Sequence, residues 1–278
     1  MQYRFFWRKP CAQVSAEERI VRFRRILQSA QNVTQYRRSL LSAELDSSEA
    51  IRRVSNVQEV LSRLAVLPEK LTYRVDQERP KRKHEFQHPL ALHSRTAVVA
   101  PDITVSGENR TFNWRQDARD LEAFRAGSMA AGVFTLREIA SAIQADNLHI
   151  RTLQHALITF SGPRDGDLTR RDLDIFWRTF QVPIFEQRLG FDGMPIAREC
   201  EVHDGLHVVE ENAVIEEIAE ELVITSLTDE HHPQLRVRSG YSGDLVHTPC
   251  ACGRVSPRIK YLARTPQKPA AVAAAGGR

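Results

Sequence analysis

Apolar residues recur at helical spacing through the first part of the chain. Ser15-Ala16-Glu17-Glu18 reads as a capping box, in which the Ser15 hydroxyl accepts an amide one turn on. The helix it opens puts Ile20, Phe23 and Leu27 on one face and arginines opposite. Asn32 interrupts, and a second helix carries Val33, Tyr36, Leu40 and Leu41. Asp46-Ser47-Ser48 marks a turn. A third helix follows with Ile51, Val54, Val57, Val60, Leu61 and Leu64, ending at Leu67-Pro68.

The period then breaks. Across residues 76–113, Pro80, Pro89, Pro101 and Gly107 interrupt any long element, and only 96–100 reads as a buried strand. His84, His88 and His93 are expected to face solvent there. Helices return over 114–126 and 135–145, the second with Leu136, Ile139, Ala140 and Ile143 inward. A strand at 155–160, a turn at 162–166, a helix at 169–180 and a strand at 182–186 form the clearest α/β signal. The default for such a unit is a parallel pair of strands. The inner face of its helix is expected to be Leu173, Phe176, Trp177 and Phe180. Residues 221–227 are a further apolar strand.

These elements predict a mixed α/β (α+β) protein. Its expected parts are an N-terminal helical region (1–75), a loop-rich linker with one short strand (76–113), and an α/β core with a Cys/His-bearing β-segment (114–263). A Pro- and Ala-rich tail (264–278) is expected to be disordered. No apolar run approaches the ~18 residues that span a bilayer, and the apolar part of the first ten residues is too short for a signal peptide. The expectation is a cytoplasmic protein, where cysteines serve as free thiols or metal ligands rather than disulfides.

The net charge of +4 is unevenly placed. No lysine or arginine occurs from Cys200 to Glu230, whereas Arg22, Arg24, Arg25, Arg37, Arg38, Arg52 and Arg53 crowd the N-terminal helices. The arginines occupy polar helix positions without interleaved aromatics, so solvated helix faces explain them better than nucleic acid does. A basic N-terminal lobe set against an acidic C-terminal one is the other arrangement they suggest.

Candidate chemistry concentrates at residues 199–254. Cys200 and His207 supply one pair of ligands, and Cys250-Ala251-Cys252 supplies two thiolates from one turn. Four protein ligands leave no open position, so a zinc held here is structural. His203 is an alternative to His207, and His247 lies close to the Cys-x-Cys. Buried unligated cysteines with surface histidines are the other reading.

The second half resembles the phenylacetate–coenzyme A ligase branch of the adenylate-forming enzymes. Ala197-Arg198-Glu199-Cys200, Asp204-Gly205-Leu206-His207-Val208 and residues 221–227 are similar to that family's Glu-Cys, Asp-Gly-Leu-His-Val and Glu-Leu-Val-x-Thr-x-Leu segments. Leu235-Arg236-Val237-Arg238-Ser239-Gly240, Cys250-Ala251-Cys252-Gly253-Arg254 and Pro257-Arg258-Ile259 continue the order. The resemblance points to the same four metal positions. It places a ligand site near Gly190, Phe191, Asp192 and Gly193, where the family carries Tyr-Gly-x-Thr-Glu, and at Asp244, which supplies the ribose-gripping aspartate only if three residues are inserted. The ungapped match gives Tyr241.

The departures from that pattern predict reduced or lost adenylation. Val105-Ser106-Gly107-Glu108-Asn109 is a poor phosphate loop, Gly193 stands where a glutamate would serve magnesium, and the lysine-bearing C-terminal domain is expected to be missing. Removing one such electrostatic partner commonly costs about 100- to 1000-fold in rate. ATP, magnesium and coenzyme A are thus implied only if ligase activity survives, with a carboxylic acid or nucleotide as ligand. The alternative is a non-catalytic, zinc-stabilised scaffold acting with a protein partner.

Overall fold

A computed structural model describes residues 15–68, 84–90, 95–150 and 153–265. Cys11, the Lys81-Arg82-Lys83 run, His93 and the 266–278 segment lie outside them.

Four helices open the chain: α1 (Ala16–Gln31), α2 (Thr34–Ser42), α3 (Ser48–Arg52) and α4 (Val57–Arg63). Ser15 caps α1 by accepting from the Glu18 amide. The expected third helix is two, because the Asn56 side chain accepts from the Gln58 and Glu59 amides and starts α4 afresh. Short strands β1 (His84–Glu85), β2 (Thr96–Val99), β3 (Ile103–Thr104) and β4 (Arg110–Thr111) follow. Then come α5 (Ala118–Phe124), β5 (Ser128–Gly132), α6 (Val133–Gln144), β6 (Ala156–Ser161), α7 (Arg170–Phe180) and β7 (Ile184–Leu189). The remainder is all strand: β8 (Pro195–Glu199), β9 (Leu206–Val208), β10 (Ala213–Ile218), β11 (Glu221–Ser226), β12 (Val237–Arg238), β13 (Tyr241–Val246) and β14 (Arg258–Arg264).

Nine strands form one sheet in the order β13-β14-β9-β8-β7-β6-β5-β2-β4. From β4 to β7 neighbours are parallel, and from β7 to β13 they are antiparallel. The expected parallel pairing of the 155–160 and 182–186 segments is present as β6 with β7. Strand β5 is an addition to the sequence reading: its Ser-Met-Ala-Ala-Gly run lacks branched residues, yet every position is buried. Helices α6 and α7 cover one face through Leu136, Ile139, Phe176 and Phe180.

The buried face of α7 is Asp172, Phe176 and Phe180. Trp177 (56 % exposed) and Leu173 (38 %) point outward, contrary to expectation. The Asp172 carboxylate explains the rotation: it accepts from Arg137 Nε and Nη2 at 2.7 and 2.8 Å and from the Thr169 amide at 2.9 Å, which draws that side of the helix inward. His84 and His88 are also corrected. Both are part-buried, and burial lowers both pKa values, that of His84 to about 4 with help from Arg198. His88 Nε2 lies 3.0 Å from the buried Ser128 hydroxyl, which ties the 84–90 segment to β5.

The N-terminal helices do not form a core alone. Phe23, Ile26, Leu27, Leu40, Ile51 and Leu61 pack in one cluster with Val214, Leu227 and Leu235, and each such side chain contributes about 1.5–3 kcal/mol by leaving water. The Leu67 amide donates to Arg236 O at 2.8 Å and the Arg238 amide returns to Leu67 O at 2.9 Å. Tyr36 completes the joint by donating to Pro233 O at 2.8 Å. Among the described residues no helix is long and apolar enough to cross a membrane.

Candidate metal centre and adjoining cleft

Two tight turns bring four ligand-bearing residues together. Strand β8 ends at Glu199, which leaves Cys200 at its tip. The chain then reverses through His203 (φ 54°) and Gly205 (φ 90°) into β9, which carries His207. A Cβ on Gly205 would stand 2.7 Å from Ile259 O, so only glycine lets this turn lie against β14. Between β13 and β14, the Gly253 amide donates to Cys250 O at 2.9 Å and the Cys250 amide to Arg254 O at 3.0 Å. That turn aims both of its cysteines at the β8–β9 hairpin. Register completes the arrangement, because His207 pairs with Arg198 on one side and Arg258 on the other.

The ligand atoms of Cys200, His207, Cys250 and Cys252 all lie within 4.8 Å of one another. Cys200 Sγ is 3.8 Å from Cys250 Sγ, and Cys252 Sγ is 3.4 Å from His207 Nε2. A tetrahedral zinc with bonds of ~2.3 Å to sulfur and ~2.0–2.1 Å to nitrogen sets its ligands about 3.8 Å (S–S) and about 3.6 Å (S–N) apart. The observed edges fit a metal ion of that size. His207 Nδ1 lies 3.2 Å from the Ser256 hydroxyl, a contact that orients the ring and leaves Nε2 for the cluster.

The electrostatics agree with the geometry. Burial, with Arg254 and Arg258 nearby, lowers the His207 pKa to about 4, so the imidazole is neutral and able to ligate at pH 7. Burial pushes the Cys200 thiol up to about 12 and also raises Cys252. Cys250 goes the other way, because the Cys252 amide and neighbouring thiols outweigh its burial. Three ionised thiols cannot share this space without a cation, and binding one would release protons. His203 stays outside: its Nδ1 is 2.9 Å from Glu199 Oε1 and its ring stacks on Phe185. His247 is exposed.

The 190–194 turn between β7 and β8 borders a small, partly open cleft of about 30 Å³, lined in part by Arg188, Gly190, Phe191, Asp192, Ser239 and Tyr241. Gly193 lines a second, smaller cleft with His84, Asp102 and Arg164. Asp244 is exposed on β13 and borders neither. Asp192 accepts from the Met194 amide at 3.1 Å and from the Thr228 hydroxyl, and burial raises its pKa. Sequence reasoning passed over Arg188 and Asp167. Arg188 lies 3.9 Å over the Tyr241 ring and 3.6 Å from Asp167, and Tyr241 donates to Asp167 at 2.5 Å. No local pattern signals a contact between residues 74 positions apart.

No protein-family model matches the chain, and no curated protein matches it. Solved structures do. The chain is similar to 2-hydroxyisobutyryl-CoA ligase in complex with 2-HIB-AMP and CoA in the thioesterification state, with a TM-score of 0.61 and 12 % identity, over 90 % of this chain and 68 % of the ligase. An open conformation of that ligase gives 0.58 at 12 % identity, covering 87 % of this chain and 67 % of the ligase. A post-adenylation state with R3-HIB-AMP gives 0.57 at 11 %, covering 93 % and 72 %. The chain therefore has a fold resembling an adenylate-forming ligase and spans about two thirds of that protein's length.

Proposed function

We propose that this chain is a relative of the phenylacetate–CoA ligase-like adenylate-forming enzymes in which a structural zinc is kept and adenylation is reduced or lost. The observation that carries the zinc is the convergence of the ligand atoms of Cys200, His207, Cys250 and Cys252 within 4.8 Å, with two of the separations, 3.8 and 3.4 Å, close to those of a tetrahedral ion. All four positions are filled by protein, so the ion staples β8, β9 and the β13–β14 hairpin rather than meeting substrate.

The adenylation machinery does not fit as well. ATP and magnesium need cationic groups and a carboxylate free to meet them. Gly193 offers no carboxylate, and Asp192 is already engaged by Thr228 and Met194. The cleft beside Gly190 and Phe191 is the retained small-molecule site. A scaffold role beside a partner enzyme is the second reading, favoured by Trp177 and Leu173, which stand exposed one turn apart on α7.

The test is elemental analysis of the purified chain beside an assay of ATP-dependent pyrophosphate release with a panel of carboxylic acids. One zinc per chain with no pyrophosphate is expected. A metal-free chain sinks the zinc assignment, and robust pyrophosphate release sinks the loss of adenylation.

A further inference from the structure

The cleft has its charges paired off before any ligand arrives. Two guanidinium groups belong to its walls, those of Arg188 and Arg238. Arg188 is 5 % exposed and lies 3.6 Å from Asp167 and 3.8 Å from Glu186. Arg238 is held by Glu221. Asp167 is shared further, accepting from Tyr241 Oη at 2.5 Å and Arg264 Nε at 2.7 Å. Both guanidinium groups also lie over the Tyr241 ring, Arg188 3.9 Å and Arg264 5.3 Å from its centre. Burial works to raise the Asp167 pKa, but the Tyr241 and Arg264 hydrogen bonds and the Arg188 charge outweigh it, so Asp167 remains an anion. The rest of the wall is largely apolar, with Leu189, Phe191, Ile196, Ile224 and Val237.

An anionic ligand entering this cleft would shed its water and then compete with Asp167 and Glu186 for Arg188. Burying a charge without a partner is strongly unfavourable, whereas a neutral ligand meets apolar walls, a few hydroxyl and amide groups, and charged or acidic groups (Arg188, Arg238, Asp192) that already hold partners. We propose that the cleft takes a small, uncharged, mainly apolar group and discriminates against carboxylates and nucleotide phosphates. Asp167 is the specificity-determining residue, because its one carboxylate pairs with both guanidinium groups around Tyr241. The inference rests on reading the cleft as a small-molecule site.

The test uses the full chain and three probes: benzamide, benzoate and magnesium ATP, titrated by calorimetry and by amide chemical-shift changes. Benzamide is expected to bind at least about tenfold more tightly than its anionic counterpart, with shifts at Gly190 and Ser239, and ATP to show no saturable binding. Asp167→Asn, which leaves Arg188 with Glu186 alone and frees Arg264, should strengthen benzoate binding severalfold and leave benzamide within about twofold. Tighter binding of benzoate or ATP than of benzamide by the native chain overturns the inference, as does benzamide binding that shifts only residues remote from the cleft. The native-chain comparison stands if the variant does not fold. The zinc assignment is untouched by either outcome, since metal content is measured separately.

Discussion

Arg19 and Glu210, 191 positions apart in the chain, meet in an ion pair of 2.8 Å. One helical turn along, Arg22 donates to Glu211 O at 2.8 Å, and Arg25 approaches Glu230 at 3.9 Å. Three arginines of α1 thus face the acidic stretch that follows Cys200, and part of the lopsided charge of the sequence is satisfied inside the molecule.

The Arg19–Glu210 pair is only partly covered, with side chains 24 % and 31 % exposed, so its coupling should be modest. A double-mutant cycle with Arg19→Ala and Glu210→Ala is expected to give about 0.5–1 kcal/mol. The coupling should shrink as salt is raised. Equilibrium denaturation at two ionic strengths checks this, and a salt-independent coupling would refute the electrostatic account.

Cys252→Ser should abolish stoichiometric zinc and destabilise the fold by at least about 3 kcal/mol. At the size of this chain that is a fall in Tm of roughly 6–12 °C. His203→Ala should retain the metal, since that ring serves Glu199 and Phe185 instead. Metal analysis and calorimetry of the two variants separate the histidines. Equal zinc loss from both would contradict the assignment of His207.

Asp172 provides a pH signature. Its burial opposes ionisation, but bonds from Arg137 and Thr169 prevail and lower its pKa to about 2. The folded value lies below the unfolded one of ~3.9, so the stabilisation is complete above that value. It drains away as pH falls through the interval down to about 2. The stability difference between the native chain and Asp172→Asn should therefore narrow across that interval. Urea titrations in acidic buffers measure it, and a constant difference would rule the carboxylate out as its source.

Gly205→Ala should cost about 1–3 kcal/mol, because φ is positive and the new methyl meets Ile259 O. The strain falls where β14 lies beside β9, so zinc affinity should drop as well. Competition with a chromophoric chelator reads the affinity. Unchanged stability and metal binding together would show that the turn yields freely.

Much of the helical framework could be read from spacing, because amphipathic faces such as Phe23 with Leu27 depend on local period alone. The convergence of the Cys/His cluster was legible too, since thiols and imidazoles are few and their turns are short. What escaped depended on distant partners. Strand β5 carries small residues whose burial comes from its neighbours β2 and β6. Trp177 faces out because Asp172, bonded to Arg137, faces in. Asp167 carries no local mark of its place between two arginines and a tyrosine.

The cluster joining Phe23, Leu27 and Leu61 to Val214, Leu227 and Leu235 also sets a timetable. During synthesis the opening helices emerge long before the strands that cover them. At about 5–20 residues per second, the wait for residue 235 is on the order of ten to thirty seconds. For that interval the newborn chain carries a bare greasy surface, and a chaperone at the ribosome exit would find its natural target there.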